Sequence, residues 1–529
     1  MKVLDCITFK EMLISAANNL ENNYEEIDKL NVFPVPDGDT GTNMKMTFVS
    51  GVNDTKTYLN DYIGDTAKYL SKRMLMGARG NSGVILSQIF KGFANSIAGL
   101  QNINIEQFSA ALTNGAKVAY KAVMRPVEGT ILTVAREVAE AGENFYKNNN
   151  DCNFEDFFQY IVEQGDQSLN KTPDLLPVLK EVGVVDSGGS GYMCILKGMH
   201  AYLKGQPIQL AKKENISQIS DGYCVEIAVD LDDFYKKEFN ADRLNKSLGR
   251  NCNEIKIKRN DGQLLLHVHT KNPGDIVNIA QRFGNMPFIK IQDLNQKVEE
   301  VLDFSEEKVE KQKYAIITVC NGEGIKQQFN KYGVQYIING GQTMNPATQD
   351  FVNLIDKINA ENIIILPNNS NIILAAKQAK DMVEDKNIIV LETKSIPQGL
   401  AACINFNSED DLQNNLTNMQ DAIENIISAS ITTAIKDTVY NKLQIKKDDY
   451  MGIVEKDIIV SGQDLDLTAR KLIDSICDED KSYITIIYGN SVSQEKAQEL
   501  LNYTVSSFDI EGEIIDGKQE LYQFIIGLE

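Results

Sequence analysis

Apolar side chains recur at helical spacing from the start of the chain. Leu13, Ala16, Ala17 and Leu20 follow Met12 in this way, and Val84, Ile85, Ile89, Phe90, Phe93 and Ile97 repeat the pattern. The same period runs through 104–124, 130–147, 155–169 and 190–204, which predicts an all-helical domain over about the first 200 residues. The polar stretch GQPIQLAKKENISQISDG, 205–222, breaks it. Beyond that the period falls to two: Tyr223, Val225, Ile227 and Val229 share one face of a strand, and Leu264, Leu266 and Val268 one face of another. A small α+β domain accounts for this region, and the charged run SEEKVEKQK, 305–313, reads as the next linker. Short apolar runs at 314–319, 334–338, 362–366 and 388–392 then alternate with helical patterns such as 347–358, the signature of a parallel α/β sheet. Alternation at 428–435 and 484–488 predicts more β structure near the end. The expected domains are 1–207, 215–305 and 312–529.

Composition narrows the class. A chain of 529 residues is too long for one ordinary core. With 43% hydrophobic and 24% charged residues it is neither generally disordered nor collagen-like. Its 53 basic against 74 acidic side chains leave a net charge of -21, so broad nucleic-acid or anionic-membrane binding is not expected. The opening MKVLDCITFKEM holds Asp5, Lys10 and Glu11 without a signal-peptide core, and no run has the length of a membrane span. A cytoplasmic protein is expected. Eight scattered cysteines without a Cys-x-x-Cys pair read as reduced thiols.

The most informative segment is LNVFPVPDGDTGTNM, 30–44. Pro34 and Pro36 hold the chain extended, Asp37 and Asp39 flank Gly38, and Gly41 permits a turn before a helix expected to open near Asn43. Two carboxylates at this spacing suit Mg²⁺, which takes one or two carboxylates with phosphate oxygens and water. A polar turn with a helix-capping aspartate is the alternative. MGARGNSGV (76–84), PVEGTIL (126–132) and VVDSGGSGY (184–192) also precede helical runs. Each offers free N–H groups at a positive helix end, though close helix crossings would also use such glycines. No Lys-Ser/Thr follows the glycines, so none is a Walker loop. Helices splayed around a phosphate-bearing ligand explain all four loops together.

Residues 31–44, GARGNSG, EGT (128–130) and DSGG (186–189) resemble the nucleotide loops of the dihydroxyacetone-kinase ATP domain, a barrel of antiparallel helices. That family binds two Mg²⁺ through a D-x4-D-x-D arrangement. Asp37 and Asp39 match its last two positions, while the first falls near Asn31 with different spacing. VFPVPDGDTGTNM, the HVHT segment and the total length resemble more narrowly the catalytic subunit of bacterial fatty acid kinase. The resemblance implies Mg²⁺ on Asp37 and Asp39, and ATP contacts at Asn31, Thr40, Thr42, Asn43, Asn81, Ser82, Gly83, Thr130 and Asp186. It further implies a DegV-like partner presenting a fatty acid whose carboxylate takes the γ-phosphate, an acyl phosphate product for phospholipid synthesis, and a homodimer. The competing readings are a kinase for a small hydroxylated molecule such as dihydroxyacetone, and a nucleotide-binding regulator without activity.

His267 and His269 project from one face of the strand at 264–270, and the neighbouring strand offers Cys224 and Glu226. A His-x-His pair with a cysteine is a metal-ligand pattern; half-exposed histidines beside a buried cysteine are the plain alternative. By resemblance, Cys224, His267 and His269 would hold Zn²⁺. In the last domain, NGGQTMNP (339–346) and LPNNSNIILAA (366–376) sit after strands and before helices, where open α/β sheets bind ligands. Asn368, Asn369 and Ser370 there are candidate helix caps. The resemblance implies a DegV-like domain that docks the partner.

Overall fold

The computed structural model describes residues 1–31, 38–149, 151–211, 222–232, 244, 248, 252–260, 263–293, 311–342, 344–434, 437–440 and 443–529. Two compact units form: Met1–Leu210 with Val309–Glu529, and Ala211–Lys308.

The first unit begins with helices. Asp5 caps α1 (Cys6–Leu30) by accepting from the Thr8 N–H at 2.8 Å, and the helix buries Phe9, Met12, Leu13, Ala16, Ala17 and Leu20 as its pattern requires. There follow α2 (Thr40–Lys56), α3 (Ile63–Gly77), α4 (Gly80–Ser96), α5 (Ile105–Ala122), α6 (Ile131–Asn148), α7 (Phe154–Leu175), α8 (Pro177–Val182) and α9 (Ser187–Leu203). α1 packs on α2 and α9, α4 on α3 and α5, α6 on α5 and α7, and α7 on α9. The region is not wholly helical: β1 (Val3–Leu4) pairs antiparallel with β2 (Ile103–Asn104). Its centre is aromatic. Phe108 meets Phe93, Phe154, Phe157 and Phe158 edge-on at 5.1 to 5.9 Å, and truncating it would cost about 3–5 kcal/mol.

Two local expectations are corrected. α2 opens at Thr40 rather than near Asn43, and Gly41 lies inside it. A Cβ there would stand 2.2 Å from the Tyr24 carbonyl oxygen, so this glycine serves a close α1–α2 crossing, not a turn.

The C-terminal part of this unit has two main sheets. In the first, β7 (Gln312–Cys320), β8 (Tyr336–Asn339), β9 (Ala360–Leu366) and β10 (Asn387–Val390) run parallel in the order β10-β9-β7-β8. The runs are apolar throughout because strands of parallel sheets are covered on both faces. The second is a mixed sheet of β11 (Ile427–Thr433), β14 (Tyr450–Val454), β15 (Asp457–Gly462), β16 (Tyr483–Tyr488), β17 (Glu511–Asp516) and β18 (Tyr522–Leu528), in the order β15-β14-β11-β18-β16-β17. A short antiparallel pair, β12 (Thr438–Tyr440) and β13 (Leu443–Ile445), lies between β11 and β14 in the chain.

In the second unit β3 (Tyr223–Leu231), β4 (Cys252–Asn260), β5 (Gln263–Thr270) and β6 (Gly284–Asp293) form an antiparallel sheet in the order β4-β5-β3-β6. Val225, Ile227, Val229, Leu264, Leu266 and Val268 bury one face under α10 (Pro273–Ala280). A period of two thus sends Cys224, Glu226, His267 and His269 to the other face.

Candidate functional site

In the first unit, helix starts gather round one cavity of about 660 Å³. Asp39, Thr40 and Asn43 reach it from the start of α2, Asn81 and Ser82 from α4, Thr130 and Ile131 from α6, and Asp186 and Ser187 from α9. Packing brings the ends together. Gly80 holds φ +58°, and a Cβ on it would lie 2.5 Å from the Asn43 amide nitrogen; one on Gly83 would lie 2.3 Å from Thr47 Oγ1. Thr47 Oγ1 donates to the Asn43 carbonyl and accepts from the Arg79 N–H at 3.2 Å, while Ser187 and Thr40 share a hydroxyl contact of 3.2 Å. Four helix starts bordering one space bring positive dipole ends there, which favours negative charge.

Side-chain caps fix the starts of α6 and α9, whereas α2 and α4 start without one. Thr130 accepts from the Leu132 N–H and donates to the Val127 carbonyl, and Glu128 beside it accepts from Thr133, Tyr120 and Arg136. The Thr133 hydrogen bond, followed by those of Tyr120 and Arg136, holds the Glu128 carboxyl below its ordinary range. Asp186 accepts from the Gly189 N–H at 2.7 Å, and burial pushes its carboxyl up to about 6 against the help of the Gly189 and Ile131 N–H groups. Asp39 is 9% exposed. Burial raises its carboxyl above the usual range, the charge of Asp28 adds to that, and the Asn43 and Asn345 side chains oppose it.

Of the expected nucleotide contacts, Asn31, Thr40, Asn43, Asn81, Ser82, Thr130 and Asp186 line this cavity with Asp39. Thr42 and Gly83 do not. Thr42 gives its N–H and hydroxyl to Asp28, and Gly83 packs on Thr47. Asp37, the other expected Mg²⁺ ligand, lies outside the described residues. Asp28, in the last turn of α1, comes close enough to Asp39 to repel it electrostatically; no spacing signal marked it.

The opposite wall belongs to the C-terminal part. Ser370, Asn371, Lys377, Glu392, Lys394 and Lys456 complete the cavity. Asn345 Nδ2 donates to Asp39 Oδ2 at 2.6 Å, Arg79 Nη1 to the Asn345 carbonyl at 2.8 Å, and Asn81 Nδ2 to Asn371 Oδ1 at 3.0 Å. Ala78, just after α3, and Val84, in the second turn of α4, are buried in the same apolar cluster as Ile317, Phe351 and Ile355. Lys377 pairs with Glu392, whereas the ammonium groups of Lys394 and Lys456 meet no carboxylate among the described residues. Ser370, Asn371, Lys394 and Lys456 also border a second cavity of about 170 Å³ between the two C-terminal sheets. The proposed helix caps are not caps: Asn368 sits in the left-handed region at φ 55° and donates to Thr318 and the Val319 carbonyl, and Asn369 accepts from the Asn371 N–H. α13 (Ile373–Met382) starts without a side-chain cap, as the third helix of this part after α11 (Glu323–Lys331) and α12 (Thr348–Lys357).

In the second unit Cys224 stands directly opposite His269, and Glu226 opposite His267. The ligand atoms of Cys224, His267 and His269 all lie within 4.8 Å of one another. Cys224 Sγ is 3.8 Å from His267 Nδ1, and Glu226 Oε1 is 3.2 Å from the same nitrogen. One thiol and two imidazoles at such separations fit a tetrahedral Zn²⁺ with its ~2.0–2.3 Å bonds.

Residues 34–201 match the DAK2 domain, 220–301 the middle domain of the FakA-like fatty acid kinase family and 315–529 the C-terminal domain of the same family. The chain is 40% identical to protein YloV of Bacillus subtilis over 555 aligned positions, covering 100% of both chains. The chain belongs to the FakA-like fatty acid kinase family. This is the family expected from the VFPVPDGDTGTNM and HVHT segments. Among solved structures, a DegV family protein of Corynebacterium glutamicum, Cg2579, aligns with 41% of this chain and 97% of its own at 11% identity and a TM-score of 0.32. The dihydroxyacetone kinase of C. freundii, solved with AMP-PNP and Mg²⁺, aligns with 36% of this chain and 33% of its own at 16% identity and a TM-score of 0.28. As a member of this kinase-like family the chain is multidomain, with a helical DAK2 domain and α/β domains after it. Among the described residues no helix is long and apolar enough to cross a membrane.

Proposed function

We propose that this chain is the ATP-dependent component of a fatty acid kinase, acting on a fatty acid presented by a separate DegV-like protein. The observation that carries this reading is the cavity itself: four helix starts and the Asp39 carboxylate converge on one space large enough for a nucleotide. Thr40, Asn81, Ser82 and Ser187, with their helix N–H groups, would take phosphate oxygens. Asp39, and Asp37 beside it in sequence, would hold Mg²⁺, which neutralises charge on the β- and γ-phosphates. A fatty carboxylate is already ionised at pH 7 and needs no general base. Its oxygen attacks the γ-phosphorus, the bond to the bridging β,γ-oxygen breaks, and ADP leaves with that electron pair. Positioning and charge neutralisation supply the catalysis. In the second unit Cys224, His267 and His269 would hold Zn²⁺.

The test combines protein, ATP, Mg²⁺, oleate and a DegV-like partner, with hydroxylamine to trap acyl phosphate. Hydroxamate that forms only with the partner supports the proposal. Turnover of dihydroxyacetone without a partner would replace it with a small-molecule kinase, and tight ATP binding without any turnover would leave a regulator. Elemental analysis tests the zinc site: wild type should carry one equivalent, and the His267→Ala His269→Ala double variant none.

A further inference from the structure

The nucleotide reading makes no use of the smaller cavity, of about 170 Å³, between the two C-terminal sheets. Its position follows from the strand order. In β10-β9-β7-β8 the chain leaves β7 toward β8 and β9 toward β10, in opposite directions, so a crevice opens between β7 and β9 at their carboxyl ends. Val319 and Asn321, at the end of β7, and Pro367 and Asn369, just after β9, line the cavity there. The NGGQTMNP and LPNNSNIILAA loops both border it and are bridged by Asn369 Nδ2, which donates to Gln342 Oε1 at 2.7 Å. Asn368 ties the crevice together. Its N–H donates to Thr393 Oγ1 at 2.9 Å and its Nδ2 to Thr318 Oγ1 at 2.7 Å, joining the ends of three parallel strands at a φ of 55°. A non-glycine residue held in the left-handed region by its surroundings is strain of the kind that collects at ligand sites. Ser395 and Ser428 share a hydroxyl contact of 2.6 Å that fastens the second sheet to the segment after β10.

The lining defines the ligand. Val319, Ile325, Ile453 and Ile525 border the cavity with apolar side chains, each at most 8% exposed. A cavity of about 150 Å³ with such walls takes a benzene-sized guest, so this one fits an aliphatic body of about six carbons. Positive charge sits on one side. Lys394 and Lys456 border the larger cavity as well as the smaller, whereas Glu455 and Glu520 border the smaller but not the larger. The two lysines are exposed and meet no carboxylate among the described residues. We infer that this crevice binds a short aliphatic carboxylate, its chain among the apolar side chains and its charge at Lys394 and Lys456. Such a ligand gains from methylene burial and from charge-assisted hydrogen bonds at once. The inference does not depend on what the larger cavity holds.

Isothermal titration calorimetry on the full chain without nucleotide, with acetate, butanoate, hexanoate and octanoate as probes, reads both contributions. Affinity should rise about fourfold per added methylene up to hexanoate and level off at octanoate, when the cavity is full. Hexanol and hexylamine should bind about tenfold more weakly than hexanoate or worse. The Lys394→Ala Lys456→Ala double variant should weaken hexanoate about tenfold yet keep the dependence on chain length. Ser430→Ile fills the cavity from β11 with a residue that suits a strand, so it should weaken hexanoate about tenfold or more without lowering the melting temperature. The lysine pair is exposed and tests the site even should Ser430→Ile not fold. Wild type that takes up no hexanoate overturns the inference, as does an affinity that stays flat along the series. Hexylamine binding more tightly than hexanoate would overturn it by giving the rim to Glu455 and Glu520, and hexanoate binding untouched by either variant would overturn it by placing the ligand elsewhere.

Discussion

The two walls of the large cavity are built on different principles. The helical wall is made of chain ends: backbone N–H groups at the starts of α2, α4, α6 and α9, set close by Gly80 and Gly83 and carrying two part-shielded acids, Asp39 and Asp186. The C-terminal wall is made of side chains, notably Lys394 and Lys456, on loop, turn and helix segments that arrive from far along the chain. The first wall offers fixed dipoles and carboxylates; the second offers exposed lysine ammonium groups. A polyphosphate between them would be gripped rigidly on one side and neutralised flexibly on the other.

The sharpest way to break this division is at Asp39. Asp39→Asn keeps the shape and the hydrogen bond from Asn345 but removes the charge that a divalent cation needs. It should lower phosphoryl transfer about 100- to 1,000-fold in the trapping assay. Because burial already disfavours the Asp39 carboxylate, the variant should melt no lower than wild type. Near-normal turnover would show that the helical wall binds its ligand without a metal at this position.

The second test addresses the other wall. The Lys394→Ala Lys456→Ala double variant should raise the KM for ATP about tenfold, the loss expected when charge-assisted contacts are removed, while the Lys→Arg pair recovers most of it. Both side chains are exposed, so the melting temperature should not move. The effect should shrink as salt rises, since the lysines act at a solvent-facing surface. A KM that ignores both charge and salt would reduce the C-terminal wall to a lid.

Legibility in the sequence follows the same line. Glycine-rich loops before amphipathic runs are local signals, so Asp39, Asn81 and Ser82 can be placed at helix starts from the sequence, while Thr130 and Asp186 enter through the family resemblance; all five line one cavity, and strand alternation sets Cys224, His267 and His269 on one face. The helix start at Thr40 is hidden in the sequence because Gly41 reads locally as a turn, whereas its real constraint is the Tyr24 carbonyl of another helix. Thr42, an ATP contact by the resemblance alone, gives its N–H and hydroxyl to Asp28. Lys394 and Lys456 carry no local mark, and Asn345 is marked only as part of the NGGQTMNP loop that follows a strand. Their role arises from the docking of Ala78 and Val84 into a core formed some 230 residues later, a tertiary event that no periodicity encodes.

The smallest effect, and the one that separates the walls most finely, concerns protons. Asp186 belongs to the helical wall, and its carboxyl is pushed up to about 6, mainly by burial, from an unfolded value near ~3.9. Between these values the folded chain holds a proton that the unfolded chain has released, so the contribution of this group to stability is greatest below pH ~4 and is lost as pH rises through about 6. Asp186→Asn removes the titration yet keeps an acceptor for the Gly189 N–H, asparagine being as good a helix cap as aspartate. The melting temperature of the variant minus that of wild type should therefore grow by about 2–4 °C between pH 4 and pH 7.5, measured without nucleotide. A difference that stays flat with pH would mean that the start of α9 is solvated enough to carry its charge freely. The helical wall would then be as open to water as the lysine wall facing it, and the contrast between a rigid, shielded side and a flexible, solvated one would have to be given up.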